Sequence, residues 1–219
     1  MVEYAVSDLV KEVKVLLDRN QESAGLLAPS DSDTLSQAEL IESKIVDAAR
    51  IILSDSPEYM VEGTSCTNDV TWTDDSNGYY VGKMVLPTDM LRILSVKAGD
   101  WNRPATIISE SDDAYKYQNC KYGVRGNPER PIAAIVHTAN GKSIELYTSK
   151  KQDATLAFIY VQVPSITTEQ KISLPSVLKD SILYMAGYLT CISLGDTDTA
   201  SGFLGVARKL AHIVEPTTS

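Results

Sequence analysis

Hydrophobic positions recur along this 219-residue chain with two different periods. In residues 4–18 they fall at Val6, Leu9, Val10, Val13, Leu16 and Leu17, intervals of three and four that predict one face of a helix. Residues 20–34, rich in Ser, Asp and Gly with Pro29 among them, read as a loop. Ser36 and Glu39 then form a capping-box pattern, in which hydroxyl and carboxylate each satisfy an orphan backbone N–H. Leu40, Ile41, Ile45, Val46, Ala49, Ile52 and Leu53 give the second helix its buried face, and residues 54–57 stop it.

Beyond residue 62 the period becomes two. Val70 and Trp72 suggest a short strand. Residues 79–86 predict another, after the hairpin signal Asn77-Gly78. The framework of the chain is the stretch 86–118. Pro87 fixes the entry to a strand in which Met90, Arg92, Leu94 and Val96 face one side and Leu91, Ile93 and Ser95 the other. Apolar groups on both faces predict a buried strand. Gly99-Asp100 turns the chain, Trp101 follows in the turn, and a second short strand leads to Tyr115 and Tyr117. Further strands are expected at 132–138, 143–148 and 154–163, the first two joined at Asn140-Gly141. Short strands without long helices between them argue for an antiparallel sandwich or barrel.

The helical period returns after Pro164. Pro175 is placed in the first turn of a helix, where its missing N–H costs nothing. Val177, Leu178, Ile182, Met185, Ala186 and Leu189 form its stripe, and Gly195 ends it. The last helix carries Phe203, Leu204, Val206, Ala207, Leu210 and Ile213 and stops before Pro216. Gly187, Ala200, Ser201, Gly202 and Gly205 are small enough to let these two helices approach closely. The expected fold is therefore α+β. Helices in 1–58 and 166–219 form one four-helix portion, and 59–165 is a β-rich insertion.

Composition excludes several classes. The apolar runs are strand-length and too short to span a bilayer. No basic segment leading into an apolar one opens the sequence, so no secretory leader is expected. Cys66, Cys120 and Cys191 are odd in number and widely spaced; they suggest neither a metal site nor a disulfide framework and fit a reducing compartment. The net charge of −9 is uneven: residues 1–75 hold 16 acids and 5 bases, whereas residues 76–172 hold 9 and 12. An acidic total argues against tight duplex binding, which needs many phosphates neutralised. Docking between unlike faces of neighbouring subunits remains open.

Catalytic signatures are missing. The sequence has no phosphate-binding Gly-Lys-Ser/Thr loop, no G-x-G-x-x-G after a strand and no G-x-S-x-G elbow. His137 and His212 are read as structural, since no cysteine or carboxylate constellation converges on either. Asp196-Thr197-Asp198 suggests an acidic helix cap rather than a calcium loop, whose glycine and closing glutamate are not in place. The one candidate surface is 115–130, where Tyr115, Tyr117, Tyr122, Arg125 and Arg130 are interleaved with Gly and Pro. Such residues could stack bases and hold phosphates. The preferred reading is a loop packing on a neighbour, with Tyr and Arg as interface anchors. Neither a cofactor nor a metal is expected.

Several segments together resemble the head-to-tail adaptor (connector ring) proteins of short-tailed DNA bacteriophages, of the type found in crAss-like phages. They are Leu86-Pro87-Thr88-Asp89-Met90-Leu91-Arg92-Ile93, Trp101-Asn102-Arg103-Pro104, Tyr117-Gln118 and Asn127-Pro128-Glu129-Arg130-Pro131-Ile132-Ala133. Tyr184-Met185-Ala186-Gly187-Tyr188-Leu189 and residues 200–213 continue the likeness. The large β module is a departure from the simplest, helical adaptors. The resemblance implies a virion structural protein rather than an enzyme, assembled in the host bacterial cytoplasm into a ring, expected to be twelve-fold. Its partners would be the portal protein and further adaptor or tail proteins. Genomic DNA would pass through the channel without specific binding, and no membrane is involved. It further implies that the end of the last helix and the tail dock on the portal: here Lys209, His212, Ile213, Val214, Glu215 and Pro216. A ring of identical subunits needs two complementary faces, which the acidic first third and basic middle could supply. An acidic lumen would let DNA slide.

Two other classes stay open. One is a β module gripping a carbohydrate or peptide, for which a pocket lined by Trp72, Trp101 and nearby tyrosines would argue. The other is an enzyme with an unfamiliar site, for which buried titratable groups converging in a cleft would argue.

Overall fold

The computed structural model describes residues 1–17, 36–76, 78–120, 124–139 and 141–214. In chain order the first elements are β1 (Val2–Ala5), α1 (Val6–Leu16), α2 (Gln37–Asp55), β2 (Thr64–Ser65) and β3 (Thr71–Asp74). Next come β4 (Tyr80–Val85), β5 (Met90–Ala98), β6 (Thr106–Ser109), the one-turn α3 (Asp113–Lys116), β7 (Ile132–Thr138) and β8 (Gly141–Ser149). β9 (Leu156–Gln162), β10 (Lys171–Leu174), α4 (Lys179–Ser193) and α5 (Thr197–Leu210) complete the order. The fold is mixed, α+β. Contacts divide it into two compact units, residues 1–62 with 163–219, and residues 63–162.

In the first unit α4 packs on α1, α2 and α5. Val6, Leu9 and Val13 from α1, Ile41, Ile45, Ile52 and Leu53 from α2, and Ile182, Leu183 and Met185 from α4 are buried. The expected capping box is present: Ser36 Oγ accepts the Glu39 N–H at 3.3 Å, and Glu39 Oε2 accepts the Ser36 N–H at 2.6 Å. Those hydrogen bonds, the backbone one first, hold the Glu39 carboxyl below the usual glutamate value. At the chain start, residues 4–18 are not helical throughout, because Val2–Ala5 pairs antiparallel with Lys171–Leu174. β10 likewise places a strand in the stretch between Pro164 and Pro175, to which the sequence reading gave none. That proline precedes a 3-10 turn, Ser176–Leu178, and α4 begins only at Lys179. Val177, assigned above to the buried stripe, is 66% exposed on that turn.

Gly195 (φ +78°) closes α4 in the left-handed conformation that glycine tolerates best. Its N–H donates to Ile192 O, and the N–H of Asp196 donates to Cys191 O, a Schellman closure. Asp196 then caps α5, its Oδ1 accepting the Thr199 N–H at 3.2 Å. One residue thus finishes one helix and starts the next, and the acidic-cap reading holds. The close approach of α4 and α5 occurs at Gly187, where an added Cβ would stand 2.8 Å from the Phe203 ring. It does not involve Gly202 or Gly205, which have open space around them. The α5 stripe is also corrected: α5 buries only Ala200 and Ala207.

The second unit holds two open sheets, a five-stranded one ordered β3-β4-β8-β7-β6 and a three-stranded one ordered β2-β9-β5. One apolar cluster draws on both: Met84, Ile144 and Leu146 from the larger sheet, Val96, Phe158 and Tyr160 from the smaller, with Trp101 at 2% exposure among them. The indole N–H of Trp101 donates to Thr148 O at 2.8 Å, which explains how a polar ring edge is tolerated inside. The strands are not all antiparallel, contrary to the expectation. β6 and β7 run parallel, since the connection 110–131, long enough to contain α3, carries the chain back to the starting end. Asn77 and Asn140, central to the two hairpin signals, lie outside the described residues. Gly78 and Gly141 beside them have positive φ, and the flanking strands pair antiparallel.

Candidate functional site

The sequence singled out 115–130 as a surface. Period-two alternation along β8 places Glu145 and Tyr147 on one face of the larger sheet, opposite the shared core. Tyr147 OH donates to Glu145 Oε2 at 2.7 Å, and Tyr115 OH, from α3, donates to the same oxygen at 3.2 Å. Lys83 Nζ from β4 approaches Oε1 at 3.4 Å. Arg125 lies 5.5 Å from the Tyr147 ring centroid and donates from Nη1 to Asp75 Oδ2 at 2.5 Å, with only 17% and 8% of the two side chains exposed. Gln118, buried, donates to Ala114 O and accepts the Gly126 N–H. Burial, then the Glu145 carboxylate, pushes the Tyr147 phenol far above the usual tyrosine range and the Tyr115 phenol upward.

Tyr115 and Arg125 are therefore committed to partners within the unit. Tyr117 and Arg130 are exposed. Tyr122 lies outside the described residues. The sequence reading missed Glu145, and it takes Asp74 and Asp75 for solvated loop charges, which the pair with Arg125 corrects for Asp75. The same-face spacing of Glu145 and Tyr147 was the available signal for the first; nothing local marks Asp75 as the partner of a residue fifty positions on.

At the end of α5, His212 takes a left-handed conformation (φ +54°). Its N–H donates to Lys209 O and the Ile213 N–H to Arg208 O, a second Schellman closure, here with histidine where glycine is usual. The His212 Nδ1 atom is 2.9 Å from Tyr59 OH, which anchors the helix end. Lys209 is exposed, Ile213 half-buried, and Val214 86% exposed. Val206 and Leu210 are 39% and 40% exposed on the preceding turns. Glu215 and Pro216 lie outside the described residues. His137 hydrogen-bonds Glu110 through both its backbone N–H (3.0 Å) and Nδ1 (2.8 Å). These bonds, led by the backbone one, hold the Glu110 carboxyl below its ordinary value.

Among the described residues, cavities open in both units. In the helical unit, Val15, Leu16, Leu183 and Tyr184 floor a space of about 450 Å³ between α1 and α4. In the β unit, one of about 450 Å³ is lined by Trp72 and by residues of 66–70 and 152–156. Another, of about 510 Å³, is lined by 65–68, 85–89 and Tyr160. Trp72 thus lines a cavity, whereas Trp101 is inside the core and tyrosine enters only through the adjoining space. Among the described residues no three His, Cys, Asp or Glu side chains gather as a metal site, and no helix is long and apolar enough to cross a membrane. Compared with protein-family models and with curated proteins, the chain matches none.

Proposed function

We propose that this chain is a head-to-tail adaptor of a short-tailed phage, a virion structural protein without catalytic activity or cofactor. Its four longer helices act as one helical domain, and its two sheets as a sandwich inserted into that domain. Twelve copies form a ring that joins the portal to further adaptor or tail proteins and encloses the path of the DNA, which it does not bind specifically. Assembly takes place in the host bacterial cytoplasm, without a membrane.

The structural observation that carries this reading is the last helix. α5 uses two alanines for its buried contacts and turns Val206 and Leu210 outward, beside Lys209 and ahead of Val214. Phe203 packs its ring on Gly187 and Tyr184, and the Tyr59–His212 hydrogen bond holds the helix end, so Val206 and Leu210 stand outward on a fixed element and offer an apolar strip for docking. The framework segments around β5, Trp101 and β7 supply the rest of the support, through their resemblance to adaptors.

Co-sedimentation of the purified protein with the portal ring of the same phage, followed by negative-stain imaging, tests the proposal. A second ring stacked on the portal at about equal copy number is expected. The chain lacking residues 213–219 should fold with an unchanged circular dichroism spectrum and lose attachment. Attachment unaffected by that deletion and by Val206→Asp with Leu210→Asp would remove the helix end as the docking surface.

A further inference from the structure

These two cavities of the β unit are neighbours: both are lined by Cys66, Thr67 and Asn68. Each offers an aromatic ring and a set of oxygen and amide groups. In the first, the indole of Trp72 is held by an N–H···O bond to Ala154 O at 3.0 Å. The ring also lies so close over its strand partner Gly82 that a Cβ there would be 2.8 Å from it. Both restraints fix the ring before any ligand arrives, which lowers the ordering cost of binding. Asn68, Asp69, Gln152, Asp153 and Thr155 surround it. Asn68 uses its amide N–H on Val85 O at 2.8 Å, which orients its carbonyl oxygen. In the second cavity, Tyr160 OH donates to Asp89 Oδ1 at 3.3 Å and Gln162 Nε2 to Asp89 Oδ2 at 2.7 Å, so this carboxylate too is set in place.

The lining selects the ligand by exclusion as well as by fit. Among the described residues it contains neither Lys, Arg nor His, so a phosphate, sulfate or carboxylate would meet only acidic or neutral groups there. A neutral sugar suits all of it. Its axial C–H face needs an apolar plate, its hydroxyls both donate and accept, carboxylates accept from vicinal hydroxyls, and amides both accept and donate. The volumes, about 450 and 510 Å³, fall within the range of small-molecule sites.

We propose that these two cavities, sharing Cys66, Thr67 and Asn68, form a binding site for a neutral carbohydrate, with Trp72 as the stacking plate of one subsite and Asp89 and Tyr160 as the polar contacts of the next. The site does not depend on the adaptor reading, and an adaptor with such a groove would carry a glycan contact as well.

The chain has two tryptophans, and Trp101 is in the core, so the full-length protein contains its own control. Indole N–H resonances of 15N-labelled protein are followed while neutral oligosaccharides (gluco-, manno-, xylo- and galacto-configured hexamers) are added to millimolar concentration. The Trp72 resonance should move saturably with at least one configuration while that of Trp101 stays still. Gln152→Ala with Asp153→Ala, both on an exposed turn, should weaken binding at least tenfold with the Trp101 resonance unchanged. Trp72→Ala, followed through the backbone amide resonances of residues 66–69 and 152–156, should abolish it. A Trp72 resonance unmoved by every oligosaccharide overturns the proposal. So does one that moves with arginine amide but with no sugar, which would identify a pocket for a cationic side chain. A sugar response that survives both variants would place binding elsewhere and overturn it equally.

Discussion

Arg125 and Asp75 form an ion pair that is nearly closed to water, and its cation also faces the Tyr147 ring. Removing Arg125 takes a cation from the Asp75 carboxylate in a poorly solvated place, although Asp75 keeps the Tyr79 N–H at 3.3 Å. Arg125→Ala is expected to lower unfolding free energy by about 3 kcal/mol, measured by urea denaturation. A loss near zero would show the pair to be a solvated surface contact. Tyr147 makes a separate prediction about pH. Burial first, and Glu145 second, raise its folded-state value above the ordinary 10.0. The folded chain therefore holds this proton more tightly than the unfolded chain. The resulting stability is complete below the ordinary tyrosine value and falls as pH rises beyond it. The urea midpoint should decline above about pH 10, and less steeply in Tyr147→Phe, which has no proton to lose there. Equal slopes for the two proteins would refute the assignment.

Helix termini show which elements are legible in a sequence. The box at Ser36 and Glu39 and the stop at Gly195 were readable because their hydrogen bonds close within a few residues. β1 was not, since its partner β10 lies some 170 positions away, and Val2-Glu3-Tyr4-Ala5 has no local preference strong enough to announce a strand. The same distinction separates α4 from α5. Periodicity marks which residues are apolar, and a stripe does not say whether anything covers it. In α5 the small side chains Ala200 and Ala207 are inside while Val206 and Leu210 look out. At the candidate surface, the partners of Tyr115 and Arg125 lie 30 and 50 positions away, so these contacts had no local signal. The loops that bring Asn68, Asp69 and Asp153 beside Trp72 carry no periodic signal at all. Gly195 supplies the prediction at this scale. Gly195→Ala forces a Cβ into the left-handed region and should cost about 1 kcal/mol of stability, read from the thermal midpoint. The cost should not appear in Gly202→Ala, whose surroundings are open, and which should if anything stabilise its helix.

For the whole chain, the unit 63–162 begins and ends on paired strands: Thr64 faces Tyr160 and Ser65 faces Ile159 across β2 and β9. Its entrance and exit are thus neighbours. Seen from the helices, a hundred-residue excursion has the end-to-end reach of a tight turn, and the entropy of closing it is already met by the fold of the excursion itself. Such a segment can change length, strand count or surface chemistry without moving the two points at which the helical unit is interrupted. A short turn joining Glu62 to Val163 would serve the helices equally well. The chain is in this respect built as a socket and a cassette.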